Sequence, residues 1–202
     1  MAAETFTVVK VGGSLFDLPQ LGPALRRWLD QLDTRRVVLL PGGGRAADAV
    51  RAFDQAQQLG EEAAHWLALR AMGFNVALLH AVLPASASAE NLTECESLWQ
   101  RGLTPILDIL PFALADENAP GHLPHTWQVT SDALAARVAV VWGASRVLLL
   151  KSTALPASPD WDEAARRDLV DACFAGVVYA GKLHAEVIDF RAWTRDAEKS
   201  NS

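Results

Sequence analysis

Two kinds of hydrophobic pattern alternate along the chain. TFTVVKV (5–11), RVVLL (36–40) and RVLLLKS (146–152) are short, nearly continuous apolar runs, the pattern of strands covered on both faces. Between them the apolar positions fall at helical spacing. Residues 18–32 place Leu21, Leu25, Trp28, Leu29 and Leu32 on one face, and 45–58 carry a stripe at Ala46, Val50, Phe53 and Gln57. Residues 61–82 predict a longer helix with a bend at Gly73, and 131–145 a helix capped by Thr130 or Ser131 and ending near Gly143. TPILDIL (104–110) predicts a strand stopped by Pro111, and HAEVIDF (184–190) a last strand. The stretch 86–94 is polar and gives no clear element, and the prolines and glycine of 115–125 predict a loop. STALPASPDW reads as loop, the segment that follows it as helical, and the polar tail EKSNS as frayed. Strands alternating with helices, without a repeat or linker, predict a single three-layer αβα sandwich on a mostly parallel sheet.

Composition narrows the function classes. The 202 residues carry a net charge of −6 and are half hydrophobic, which fits one well-cored domain and disfavours nonspecific nucleic-acid binding or an anionic membrane surface. A local basic pocket for phosphate remains compatible with that charge. The two cysteines, Cys95 and Cys173, have no metal-site spacing, and the N-terminus lacks the basic and apolar regions of a signal peptide. Together these predict a cytoplasmic protein without a membrane span.

The candidate chemistry sits where strands end. Gly12-Gly13-Ser14 follows the first strand and Gly42-Gly43-Gly44 the second, each just before a helix. Such turns bring backbone N–H groups close to an anion, although either alone also serves as a tight βα connection. Lys10, on a buried strand beside the first turn, must send its ammonium to solvent or to a partner, and a phosphate oxygen is the partner at hand. Thr130, Ser131 and Asp132 crowd a helix start, where they would cap the helix, or where Asp132 would orient Lys10.

Other motifs carry less. Gly42 to Ala47 fits G-x-G-x-x-A, but the acidic residue expected about 20 residues later at a strand end is missing. Gly176 to Leu183 nearly matches a phosphate-binding loop, but Leu183 replaces the hydroxyl residue, so Gly181 reads as a turn glycine. His122 and His125 lack further ligands and read as surface loop residues, and no metal site is expected. His65 either faces a ligand or fills a helix-packing contact.

Taken in order, KVGGS, PGGG, VTSDALAARVA and RVLLLKS resemble the signature segments of the amino acid kinase family across residues 5–152. AAHWLALRAM and LPHTWQVTSDALAA resemble, within it, the archaeal-type kinases that phosphorylate an aminomethylfuran phosphate in methanofuran biosynthesis. The resemblance implies ATP and Mg2+ as cofactors and a phosphate or carboxylate on a small-molecule acceptor. It implies that Lys10 stabilises the transferring phosphoryl group, oriented by Asp132, and that Gly12, Gly13, Ser14, Lys151 and Ser152 serve the nucleotide. Gly42, Gly43, Gly44, His65, Thr130 and Ser131 would serve the acceptor. It also implies an acceptor-side half (1–125) and a shortened nucleotide-side half (126–202). Apolar helix faces such as that of 61–82 fit either a homo-oligomer interface or the core. The family's Asp-Gly turn after the nucleotide strand and its G-M-x-x-K stretch have no counterpart in LLLKSTALPASPDW or beyond, unless Lys182 substitutes. A non-catalytic ligand-binding or subunit-like protein on the same fold is therefore the alternative.

Overall fold

The parity of residues along each strand decides what covers the sheet. In a computed structural model of the chain, which describes residues 5–154 and 159–199, β1 (Thr7–Val11) lies between β2 (Val37–Pro41) and β5 (Arg146–Lys151). β4 (Thr104–Leu107) and then β3 (Ser86–Ala89) extend the sheet beyond β2, and β6 (His184–Asp189) forms the other edge. Every pairing in this six-stranded sheet is parallel.

Val8, Leu40, Val147 and Leu149 point to one face, where they pack with α4 (Leu92–Gln100), α5 (Ile109–Asp116), α6 (Ser131–Trp142), α7 (Trp161–Arg166) and α8 (Phe174–Gly181). Val9, Val11, Leu39, Leu148 and Leu150 point to the other, against α1 (Leu21–Leu29) and α9 (Phe190–Lys199). The long helix α3 (Glu61–Val82) serves both cores, giving Leu69 and Met72 to the first and Val76 and Leu79 to the second. This is the predicted three-layer αβα arrangement. Among the described residues no helix is long and apolar enough to cross a membrane.

Several local expectations need correction. The helix α2 (Gly44–Gln57) buries none of its residues, and Phe53 of its apolar stripe is 64% exposed. The polar stretch 86–94 holds both β3 and the start of α4. Asn91 caps α4 by accepting from the Glu94 N–H, while the Glu94 carboxylate accepts from the Glu90 N–H and the Asn91 amide. That reciprocal pattern replaces backbone partners the helix start lacks. The run 104–110 is not one strand. Asp108 accepts from the Leu110 N–H and starts α5, and Pro111 falls in the first turn, where a missing N–H costs little. The segment after Asp160, expected to be helical, folds as two helices, α7 and α8. Gly181 lies in the last turn of α8, where a Cβ would come within 2.3 Å of Val140, so it is a packing glycine rather than a turn glycine. α9 was not foreseen. Its Phe190 is fully buried against Trp28 and Trp193. α3 runs through Gly73 without interruption, and its Leu67 and Phe74 stay at the surface.

The predicted loop before α6 is held by one charged pair. Arg137 donates through Nε and Nη2 to the two oxygens of Asp116, both bonds at 2.7 Å, and Nη2 also donates to the Pro120 carbonyl. Asp116 and Arg137 are both buried. Removing one member would strand the other charge, whereas removing both would not. Asp116→Ala is expected to cost about 3 kcal/mol in urea unfolding, and Asp116→Leu combined with Arg137→Met clearly less. Equal losses in the two proteins would show that the pair does not anchor this loop.

Candidate active site

The same parity brings the lysines together. Lys10 shares a face with Val8, and Lys151 with Leu149, so both point toward the layer that contains α6. α6 begins at the carboxyl ends of β1 and β5, with Thr130 as its cap accepting from the Asp132 N–H. Asp132, 3% exposed, stands between the two ammonium groups. Lys151 Nζ donates to Oδ2 at 2.6 Å, and Lys10 Nζ lies 2.9 Å from Oδ1. The Lys10 contact is an ion pair without hydrogen-bond alignment, so Oδ1 has close charge but no aligned donor.

Burial works against the charge on Asp132, but the neighbouring Lys10 and Lys151 ammonium groups outweigh it and hold the carboxyl below its ordinary value. Burial lowers the pKa of Lys151, against the pull of Asp132, and the like charge of Lys10 adds to the lowering. One carboxylate therefore holds two cations that would otherwise repel.

Glycine is required where the two loops touch. A Cβ on Gly13 would come within 2.3 Å of the Gly44 backbone nitrogen, and Gly44 itself sits at φ +48, where a Cβ would lie 2.7 Å from the Gly13 carbonyl oxygen. Gly42 packs against Gly13, Ser131 and the Lys10 stem, and Gly43 packs on Ala47. Asn75, buried on α3, donates to the carbonyls of both Gly42 and Gly43, at 2.7 and 2.8 Å. The N–H of Gly12 donates to Leu150 and that of Gly42 to Val11, so neither is directed at an anion. Ser14 donates to the Ser152 hydroxyl at 3.0 Å, joining the loops after β1 and β5.

A cavity of about 660 Å³ opens over this centre. It is lined by Lys10, Gly12, Gly13, Ser14, Gly43, Gly44, His65, Thr130, Ser131, Asp132, Lys151 and Ser152, so nearly all of the sequence-derived site residues converge. Gly42 does not line it, and neither does Lys182, which caps the far end of α8. His65 lines the cavity and also packs, its ring stacked 4.9 Å from that of His125. Burial, then His125, lower its pKa to about 4, which leaves it neutral at physiological pH. His125 pairs with Glu117 at 3.0 Å.

Three groups had no role in the sequence reading. Asp171 accepts from the N–H groups of Thr130 and Ala133, from the Thr130 hydroxyl, and from the N–H groups of Cys173 and Phe174. It thus ties the start of α6 to that of α8. Burial raises its pKa, countered by the Ala133 N–H, with the Asp132 charge raising it further. Asn75 was hidden in a helix whose pattern showed only apolar faces. Trp127, whose indole donates to Asp54 at 2.8 Å, lies in a loop without periodicity. Only the cluster of aspartates near predicted helix starts offered a signal for Asp171.

The amino acid kinase family model matches residues 5–167. The [5-(aminomethyl)furan-3-yl]methyl phosphate kinase of Methanocaldococcus jannaschii is 26% identical over 143 residues, which span 70% of this chain and 63% of that relative. The uridylate kinase of Archaeoglobus fulgidus superposes with a TM-score of 0.62 at 18% identity, covering 91% of this chain and 90% of that one. The Giardia lamblia carbamate kinase bound to AMP-PNP superposes at 0.55 with 11% identity, covering 98% and 97%.

Because the folded-state pKa of Asp132 is depressed, its ionisation stabilises the fold above the ordinary value of 3.8, and this contribution is lost as pH falls through the folded value. Asp132→Asn should cost about 3 kcal/mol at neutral pH. The gap between wild type and variant should narrow in urea titrations carried into acid. A gap unchanged down to about pH 2 would rule out the carboxylate charge as the source.

Proposed function

The chain belongs to the amino acid kinase family, and on that premise we propose that it is an ATP-dependent kinase of a small-molecule acceptor bearing a phosphate or carboxylate. The observation that carries this reading is the Lys10–Asp132–Lys151 bridge on a cavity between two glycine loops. Phosphoryl transfer asks mainly for positioning and for fixed positive charge around the transferring group. Lys10 and Lys151, held at the ends of neighbouring strands, would supply that charge, and Asp132 would keep both in place.

Gly13, Ser14, Lys151 and Ser152 would hold the nucleotide phosphates, with Gly12 leaving room beside them. Gly43, Gly44, His65, Thr130 and Ser131 would face the acceptor, with Gly42 shaping the loop from behind. Magnesium would arrive on the ATP phosphates, which together with water supply most of its ligands. An acceptor that is already an oxyanion needs no strong general base. An aminomethylfuran phosphate is a specific candidate, since the curated relative carries that substrate in its name. On this reading residues 1–125 form the acceptor half and 126–202 the nucleotide half. The missing Asp-Gly turn and G-M-x-x-K stretch support the non-catalytic alternative, whereas a second paired lysine, Lys151, supports catalysis.

A coupled ADP-release assay against phosphate and carboxylate acceptors, with aminomethylfuran phosphate included, tests the proposal. Lys10→Ala and Lys151→Ala should each lower kcat by about 100-fold or more, with circular dichroism unchanged. Full turnover in Lys10→Ala would overturn the assignment. Absence of both turnover and a Mg-ATP thermal shift would favour the non-catalytic alternative.

A second outcome follows from the lowered pKa of Lys151. A bound polyphosphate raises that pKa toward its ordinary 10.5, so Mg-ATP binding at alkaline pH should take up protons. Calorimetry in buffers of different ionisation enthalpy should detect this uptake in wild type and not in Lys151→Met. Equal proton uptake in both proteins would place the effect elsewhere.

A further inference from the structure

Beyond the lysine pair, the cavity wall contributed by α2 carries a cation that no family segment assigns. Arg51 lies with its guanidinium carbon 4.5 Å from the centre of the Trp127 ring, and both residues line the cavity. Trp127 is itself fixed, since its indole N–H donates to Asp54 at 2.8 Å, one turn further along α2. The other Asp54 oxygen accepts from the Gly60 N–H, which fastens the end of α2 to the start of α3. Asp48, also on the cavity wall, is the carboxylate paired with Arg51, through a single long contact of 3.3 Å between half-open side chains.

We infer that Arg51, placed over the Trp127 ring, is the group that recognises the oxyanion already present on the acceptor. The inference rests on the kinase reading above. The guanidinium fork matches two oxygens of a phosphate or carboxylate at once. The lysines are assigned above to the nucleotide phosphates and the transferring group, and His65 is neutral. The arrangement is preassembled. Asp54 sets the indole, and the indole places the guanidinium on the cavity wall before the acceptor arrives. The surrounding wall of Ala68, Leu69 and Met72 is apolar, so the carbon skeleton of the acceptor has a complementary floor. Trp127 acts here as a positioning residue, and Arg51 as a binding residue.

The test uses the whole chain and the best acceptor from the screen above. Arg51→Met should raise the acceptor KM roughly 10- to 100-fold, with kcat within about threefold and the KM for ATP unchanged. Arg51→Lys, which keeps the charge but loses the fork, should recover only part of the loss. Trp127→Leu should raise the acceptor KM, and Trp127→Phe, which keeps the ring but not its N–H, should do so less. A phosphate acceptor and its carboxylate analogue, run side by side, show which oxyanion Arg51 reads. An unchanged acceptor KM in Arg51→Met, or a fall in kcat alone, would overturn the inference.

Should wild type show no turnover with any acceptor, inorganic phosphate is the probe. Calorimetric titration should then show tighter phosphate binding to wild type than to Arg51→Met, with an equal Mg-ATP thermal shift in the two proteins. Equal phosphate affinity would reject Arg51 as the anion site, whatever becomes of the kinase reading.

Discussion

One carboxylate decides whether this site can exist. Lys10 and Lys151 end neighbouring parallel strands on the same face of the sheet, and without Asp132 their ammonium groups would be buried side by side. Asp132 in turn is buried to 3% exposure and keeps its charge only because the lysines are there. Each member makes the burial of the others affordable, and all three are oriented by ordinary fold elements. Strand parity fixes the lysines, and the capped first turn of α6 fixes the aspartate.

The glycine loops play a part that differs from a simple anion cradle. Gly12 and Gly42 continue the sheet with their N–H groups, and Gly13 and Gly44 let the two loops make backbone contact. Asn75 locks the second loop from below by satisfying two buried carbonyls. The glycines therefore bring the loops after β1 and β2 as close as peptide backbones allow. That spacing suits a group passed directly from one side to the other.

Much of this was legible in the chain because it depends on local pattern. The unbroken runs around Val8, Leu39 and Leu149 announced a sheet covered on both faces, and Thr130 with Gly143 marked the ends of α6 correctly. Glycine pairs and a strand lysine, unusual in such positions, marked Lys10 and the two loops that the fold brings together. What was missed depends on tertiary placement. α2 has an apolar stripe that stays at the surface, Asp171 reaches across from another segment, and α9 buries Phe190 within a mostly polar stretch. Two misses were local and readable. The Asn91–Glu94 capping pair announces α4, and Asp108 before Ile109 announces α5. The mutual pairing of Lys151 with Asp132 could have been reached from parity alone, since Lys151 continues the face of Val147 and Leu149.

The reach of Asp171 has a mechanical consequence. Its carboxylate collects the leading N–H groups of α8 with one oxygen and those at the start of α6 with the other. Two helix beginnings that attract negative charge thus share a single acid. Sliding one helix past the other would leave buried amide donors without an acceptor, so the two are geared together. Any displacement of α8 is transmitted to the turn that carries Asp132, and through it to both lysines.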